Sequence, residues 1–248
     1  MEQGTTILVT GGSRGIGAET VRLLAAAGHA VCFTYTSRRE AAAALAAQLR
    51  AQGHRIGFLQ VDLADADAAA SLLDRMPGDL PPLGGLVNNA GITGPLGGFL
   101  ETRAATMREV LDVNVLATML LCQQAARAWV AAGRRGAIVN VSSIAATLGA
   151  PGEYVHYAAS KAAVEALTVG LAKELAGSGI RVNCVSPGTT LTEIHAAAGE
   201  PGRALRVASR IPMGRAAEAV EVAEAIAWLL SPRASYVTGS VLKVAGGL

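Results

Sequence analysis

Ile7-Leu8-Val9-Thr10-Gly11-Gly12-Ser13-Arg14-Gly15-Ile16-Gly17 is an aliphatic run that breaks into a glycine-rich corner, and the residues from 15 to 27 then take up helical spacing. A strand that ends in glycines and feeds straight into a helix brings backbone N–H groups and the positive helix end to one point, where a pyrophosphate would sit. Gly11 permits the turn, Gly15 the close approach and Gly17 the tight packing of helix on strand. Outward from this corner, β-rich apolar runs recur at 31–35, 56–61, 85–87, 137–141, 181–185 and 240–244. Ala/Leu-rich stretches of helical period at 39–52, 102–132, 155–177 and 218–230 separate them. Strand-helix alternation predicts an α/β fold, a doubly wound parallel sheet of seven strands in a three-layer αβα sandwich. Right-handed crossovers then put a ligand at the carboxyl ends of the strands, where the strand order reverses.

With 248 residues, 51% hydrophobic and 16% charged, the chain reads as one folded domain over 1–248, and no linker or repeat divides it. A mean hydropathy of +0.38 raises the question of a membrane span. The uncharged stretch Leu80 to Leu100 is broken by Pro81, Pro82, Pro95 and several glycines, which excludes it as a spanning helix. The segment from Met1 into Thr5-Thr6-Ile7 has no basic region ahead of its apolar run, so no secretory signal is expected. Net charge is +2, from 21 basic and 19 acidic residues without blocks, which gives no electrostatic case for nucleic acid or a membrane surface. Cys32, Cys122 and Cys184 are each set in apolar runs and read as buried reduced thiols, which suits a cytoplasmic protein. His29, His54 and His156 have no partner at ligand spacing, so no metal site is expected; His195 reads as a surface histidine, and Trp129 and Trp228 as packing.

The end of the second strand bears on the nucleotide. Tyr35 is followed by Thr36, Ser37, Arg38 and Arg39, and no carboxylate appears until Glu40. An acid there would hold the ribose hydroxyls of NAD; arginines there, with Arg14 in the glycine loop, favour the 2′-phosphate of NADP(H). In the helix at 155–177, Tyr157 and Lys161 are four residues apart and share a face about one turn apart. A phenol titrates near pH ~10, so proton exchange near neutrality calls for nearby positive charge, and Lys161 would supply one.

On these residues the chain resembles the short-chain dehydrogenase/reductase family along essentially its full length. The ordered matches are Thr10 to Gly17, Asp62-Leu63, Asn88-Asn89-Ala90-Gly91, Asn114, Ser142-Ser143, Tyr157 with Lys161, and Ser186-Pro187-Gly188. The resemblance implies a Rossmann-type sheet with a cofactor site at Gly11, Ser13, Arg14, Gly15, Ile16, Gly17, Thr36, Ser37, Arg38, Asp62, Leu63, Asn89, Ala90, Gly91, Pro187, Gly188, Thr190 and Thr192. By the same resemblance Asp62 and Leu63 hold the adenine and Tyr157 is the general acid/base. Lys161 binds the nicotinamide ribose, a serine polarises the substrate carbonyl and Asn114 helps hold a relay water. Two departures stand out. Ser143 lies fourteen positions before Tyr157, one more than is usual in the family, and the Gly149-to-Tyr154 loop accounts for the extra residue. Ser143 is taken as catalytic and Ser142 as a structural hydroxyl. Thr189-Thr190 stands where an aliphatic residue is common, leaving Thr190 and Thr192 both open as cofactor contacts.

The expected activity is NADPH-dependent reduction of a ketone or aldehyde, with hydride from the nicotinamide and a proton from Tyr157. The substrate is then a small carbonyl or alcohol compound, and similarity to 3-oxoacyl-thioester reductases makes a 3-oxoacyl thioester one candidate. Sugar (glucose-type) or alcohol dehydrogenases of the family are the alternative, and a non-catalytic NADP-binding regulator is the rival from another class. The joint presence of Asn114, Ser143, Tyr157 and Lys161 argues against that rival. Residues 188–215, rich in Gly, Pro and Arg, read as a mobile substrate flap whose Arg203, Arg206 and Arg210 face either an anionic substrate tail or solvent. Ala145, Leu148, Tyr154, Thr189, Leu191 and the flap from 193 to 210 are the expected pocket walls. The resemblance also implies a homotetramer.

Overall fold

The computed structural model describes residues 4–248; the first three residues of the segment read for a secretory signal lie outside the described residues. β1 (Thr6–Val9), α1 (Gly15–Ala26), β2 (Ala30–Tyr35), α2 (Arg39–Ala51) and β3 (Ile56–Gln60) follow the alternation read from the sequence. A short α3 (Ala66–Ala70) comes next, its start fixed by the Asp65 carboxylate, which accepts from the backbone N–H groups of Asp67 and Ala68. The chain continues through β4 (Leu83–Asn88), α4 (Ala104–Leu111), α5 (Ala117–Ala131), β5 (Gly136–Val141), α6 (Ala145–Leu148) and the long α7 (Val155–Leu175). It ends with β6 (Ile180–Pro187), α8 (Ile194–Ala197), α9 (Arg203–Val207), α10 (Ala219–Leu230) and β7 (Val241–Val244).

All seven strands are parallel, in the order β3-β2-β1-β4-β5-β6-β7. Successive strands move outward from β1 to β3, after which the chain returns to the other side of β1 for β4. The switch point therefore lies between β1 and β4, and the segments leaving their carboxyl ends are the glycine loop and Asn89-Ala90-Gly91. Each central strand is buried on both faces, which is why its sequence is apolar throughout rather than alternating. Ile7 and Val9 of β1 join one core with α1, α2 and α10, whereas Leu8 joins the other with α5 and Trp129. Trp129 is fully buried and donates its indole N–H to the Leu83 carbonyl, as packing requires of a buried indole.

One expectation is corrected. The helix read as continuous over 102–132 is interrupted by a π-turn, Asp112–Leu116, between α4 and α5. Its extra residue per turn breaks the 3.6-residue period, and Asn114 sits inside it. The segment 188–215, read as a substrate flap, has secondary structure of its own. It carries α8 and α9 and is tied down by backbone hydrogen bonds, with Leu96 N–H donating to the Ala198 carbonyl and Ala217 N–H to the Thr189 carbonyl.

Candidate active site

One cavity of about 740 Å³ runs along the carboxyl edge of the sheet from the glycine loop to the flap. The glycine-loop wall is built from backbone. Gly11 and Gly15 have φ of +64° and +53°, values that glycine adopts without strain. A Cβ on Gly17 would stand 2.2 Å from the Gly11 carbonyl oxygen, and one on Gly91 would stand 3.2 Å from both Asn114 Oδ1 and Lys161 Nζ. The Thr10 hydroxyl accepts from the backbone N–H groups of Asn89 and Ala90, and the Asn89 amide donates to the carbonyls of Thr10 and Gly11. These bonds lock the loops after β1 and β4 together across the switch point. The result is a cradle of bare backbone that fits a dinucleotide, and Gly11, Ser13, Arg14, Gly15, Ile16, Gly17, Asn89, Ala90 and Gly91 all line it.

Beyond it the cavity passes Thr36, Ser37, Arg38, Asp62 and Leu63 at the ends of β2 and β3, the places assigned to the adenosine. Arg39, the first residue of α2, is not among the lining residues, so the arginines brought to this end are Arg14 and Arg38. Both pair with the same flap carboxylate: Glu193 Oε2 lies 3.1 Å from Arg14 Nη1 and 2.5 Å from Arg38 Nη1. The flap passes close over the glycine loop, where the Thr192 methyl is the nearest atom to a Cβ built on Gly15, at 3.1 Å. Pro187, Gly188, Thr190 and Thr192 line the same cavity. The two threonines differ, because Thr190 is buried with its hydroxyl turned back onto the Gly188 carbonyl.

The reactive end is assembled by α7, the end of β5 and the flap. Tyr157 and Lys161 are buried side by side one turn apart, with Lys161 Nζ 5.7 Å from the phenol ring centre. The ammonium donates to the Val141 carbonyl at 2.8 Å. Burial pulls Lys161 down to about 8. Burial also pushes the Tyr157 phenol up to about 12, while a hydrogen bond with Ser143 works against the rise. In the protein alone, desolvation of the phenolate outweighs the Ser143 hydrogen bond and the charges around it. The two serines differ in what their hydroxyls meet. Both serines line the cavity, but Ser143 meets Tyr157, whereas Ser142 turns its hydroxyl to the Lys161 carbonyl and the Glu165 carboxylate, at 3.0 and 2.9 Å. Asn114 lies behind the wall, 1% exposed, and is not a lining residue. Its amide group donates to the Ile92 carbonyl and Ser160 Oγ and accepts from Ile92 N–H, pinning the loop after β4 to α7.

The substrate end is walled by Ala145, Leu148, Tyr154, Thr189, Ile194, His195, Arg203 and Arg210, among others. Leu191 is instead 39% exposed and outside the lining. His195 is buried, with Nε2 3.0 Å from the Thr190 carbonyl oxygen, so its reading as a surface residue is overturned; burial holds its pKa below the usual value. The flap arginines do not act alike. Arg203 pairs with Glu153 and lies over the Tyr154 ring, 5.2 Å from its centre, whereas Arg206 reaches Glu200 and Glu153. Glu153 sits in the loop that carries the extra residue between Ser143 and Tyr157, so that loop anchors α9.

Glu153 and Glu165 carried no role in the sequence reading, and Glu193 entered it only as the first residue of the flap expected to wall the pocket. Glu165 was within reach, one turn past Lys161 on α7; the other two act across the fold and leave no local signal.

A family model described as Enoyl-(Acyl carrier protein) reductase matches residues 11–248. The uncharacterized oxidoreductase YgfF of Escherichia coli K12 is 48% identical over 242 residues, covering 97% of this chain and 98% of its own. The cis-4-hydroxycyclohexanecarboxylate dehydrogenase of Sinomonas cyclohexanicum is 44% identical over 97% of this chain and 94% of its own. A 3-oxoacyl-(acyl-carrier-protein) reductase FabG of Staphylococcus aureus is 34% identical over 100% and 99%. Among solved structures, a short chain dehydrogenase from Burkholderia cenocepacia J2315 in complex with NADP superposes with a TM-score of 0.90 at 37% identity, covering 99% of this chain and 98% of that one.

Proposed function

The chain belongs to the short-chain dehydrogenase/reductase family of oxidoreductases, and from that premise we propose that it is an NADP(H)-dependent reductase of a medium-sized ketone bearing an anionic or acyl-thioester group. The observation that carries the reading is the meeting of Ser143 and Tyr157 at the cavity surface, with Lys161 buried beside the phenol. When bound in the cradle, a nicotinamide cofactor would supply the hydride and, in its oxidised form, a positive charge.

The remaining work falls to side chains. Ser143 donates a hydrogen bond to the carbonyl oxygen, and Tyr157 donates the proton that makes it a hydroxyl. A phenol pushed up to about 12 stays protonated throughout the physiological range, which is the form a proton donor needs. Lys161 stands next to the phenolate left behind and holds the ribose. Gly11 to Gly17 and Asn89 to Gly91 hold the pyrophosphate and nicotinamide, Thr36, Ser37, Asp62 and Leu63 the adenosine, and Arg14 and Arg38 the 2′-phosphate. Pro187, Gly188 and Thr192 would hold the nicotinamide; Thr192 is preferred to Thr190, whose hydroxyl is spent on the Gly188 carbonyl. Asn114 fixes the Ile92 loop against α7, and help in holding a relay water is the part proposed for it.

Arg210 on the wall, beside apolar Ala145 and Leu148, supports a substrate with one anionic end. Relatives named for a hydroxycyclohexanecarboxylate and a 3-oxoacyl carrier-protein thioester support the same class. Loss of NADPH absorbance with a panel of 3-oxoacyl thioesters, ketoacids, simple alkyl ketones and sugars tests the reading. The first two classes should turn over fastest, Ser143→Ala should lose far more activity than Ser142→Ala, and preferential oxidation of a free sugar would move the assignment to the sugar dehydrogenases.

The homotetramer is part of the same proposal. Leu111, Leu116 and Met119 project from the α4–α5 region with more than a third of their surface exposed, which supports an interface there, and light scattering would measure the assembly. Three buried free cysteines support a reducing, cytoplasmic setting. No helix among the described residues is long and apolar enough to cross a membrane.

A further inference from the structure

Glu193 joins three parts of the chain through one oxygen. It opens the turn that leads into α8, while its partners Arg14 and Arg38 belong to the glycine loop and to the corner between β2 and α2. Its Oε2 is 3.1 Å from one guanidinium and 2.5 Å from the other, and all three side chains are half-exposed, at 48%, 44% and 54%. Glu193 lines the same cavity as the two arginines. Resting on the NADP(H) reading above, we infer that Glu193 is a cofactor-selectivity residue that competes with the nucleotide 2′-phosphate for Arg14 and Arg38.

The argument is one of charge. Two guanidinium groups and one carboxylate leave a net charge of about +1 at this corner, against the roughly −2 that a phosphate monoester carries near neutrality. A 2′-phosphate arriving at Arg14 and Arg38 must either displace the Glu193 carboxylate, losing two ion pairs, or share the arginines with it and meet its negative charge. Both routes weaken binding of the phosphorylated nucleotide. A nucleotide with a bare 2′-hydroxyl meets neither cost, because it leaves the Arg14–Glu193–Arg38 cluster intact. Glu193 therefore narrows the preference that the two arginines create. Being exposed, each pair alone is weak, so the effect is a moderate one.

Calorimetric Kd values for NADPH, NADH, adenosine 2′,5′-bisphosphate and 5′-AMP on wild type, Glu193→Gln, Arg38→Ala and the double variant test this. Glu193→Gln should tighten NADPH and the bisphosphate by about three- to tenfold and change NADH and 5′-AMP by less than about twofold. In the Arg38→Ala background the gain should shrink. A structural role for Glu193 would move all four ligands together, and that result, an unchanged ratio, or weaker NADPH binding would overturn the inference. The two layers of the argument fail differently. A wild-type preference for NADPH that Arg38→Ala removes and Glu193→Gln leaves alone sinks only the role of Glu193. A wild type with no preference sinks the cofactor reading as well.

Discussion

Around Thr10–Gly17 and Asn89–Gly91 the cleft wall is backbone held by backbone: glycines at positive φ, a carbonyl 2.2 Å from where a Gly17 Cβ would stand, and a threonine hydroxyl bridging two strand ends. Across the cleft, α7 and the flap present side chains instead. A phenol and an ammonium are buried together there, and carboxylates at Glu153, Glu193 and Glu200 pair with four arginines. A wall of the first kind tolerates pH and salt but not added atoms. A wall of the second kind tolerates changes of shape but answers to any change of charge or proton. Pyrophosphate binding is thus assigned to the first wall and proton chemistry to the second, where Lys161 also holds the ribose, and substitutions at Gly17 and Tyr157 should separate the two.

The largest effect belongs to the reactive wall. Tyr157→Phe removes one hydroxyl and should lower kcat by about two to four orders of magnitude, read from steady-state NADPH oxidation. The opposite wall is challenged by Gly17→Ala, whose methyl would collide with the Gly11 carbonyl. Overpacking of that kind should cost about 1–3 kcal/mol in thermal or denaturant melts and weaken NADPH by about ten- to hundredfold.

A pH series sharpens the contrast. Lys161, free at 10.5 and held at about 8, keeps its ammonium below that value and loses it as pH rises through it. Between the two values the unfolded chain holds a proton that the folded protein lacks, so this group makes stability rise with pH in that window, while cofactor affinity falls. NADPH Kd should therefore weaken above about pH 8 in wild type, and Lys161→Arg should flatten the curve.

The smallest effect is expected at the flap anchor. Glu153→Gln removes the charge facing Arg203 and Arg206, and should raise substrate KM about two- to fivefold with little change in kcat. The arginines hold the Glu153 carboxyl below its usual range against the opposing pull of burial. Its contribution to stability is present above the ordinary carboxylate range and is lost as pH falls through the lowered value, so Glu153→Gln should flatten the acid limb of a pH-dependent melting curve.

The backbone-built wall was legible in the sequence because its signals are local, glycines at fixed offsets after β1 and paired asparagines after β4; on the opposite wall Tyr157 and Lys161 were legible for the same reason, one helical turn apart. So was the sheet, since strands buried on both faces must be apolar throughout. The flap wall was not legible. Arg14 and Glu193 stand 179 positions apart, so nothing in the neighbourhood of either announces the pair. The burial of His195 escaped for the same reason, being decided by the Thr190 carbonyl and the turn of the flap over the cleft. The π-turn at Asp112–Leu116 also passed unseen, because one extra residue shifts the helical period by less than a short apolar window resolves.

The division of labour between the walls is tested most directly by calorimetric titration of NADPH into Tyr157→Phe. The affinity should stay within about threefold of wild type, because the hydroxyl removed serves the carbonyl and not the cradle. A loss of about tenfold or more would place Tyr157 in cofactor binding and contradict the separation of binding from chemistry.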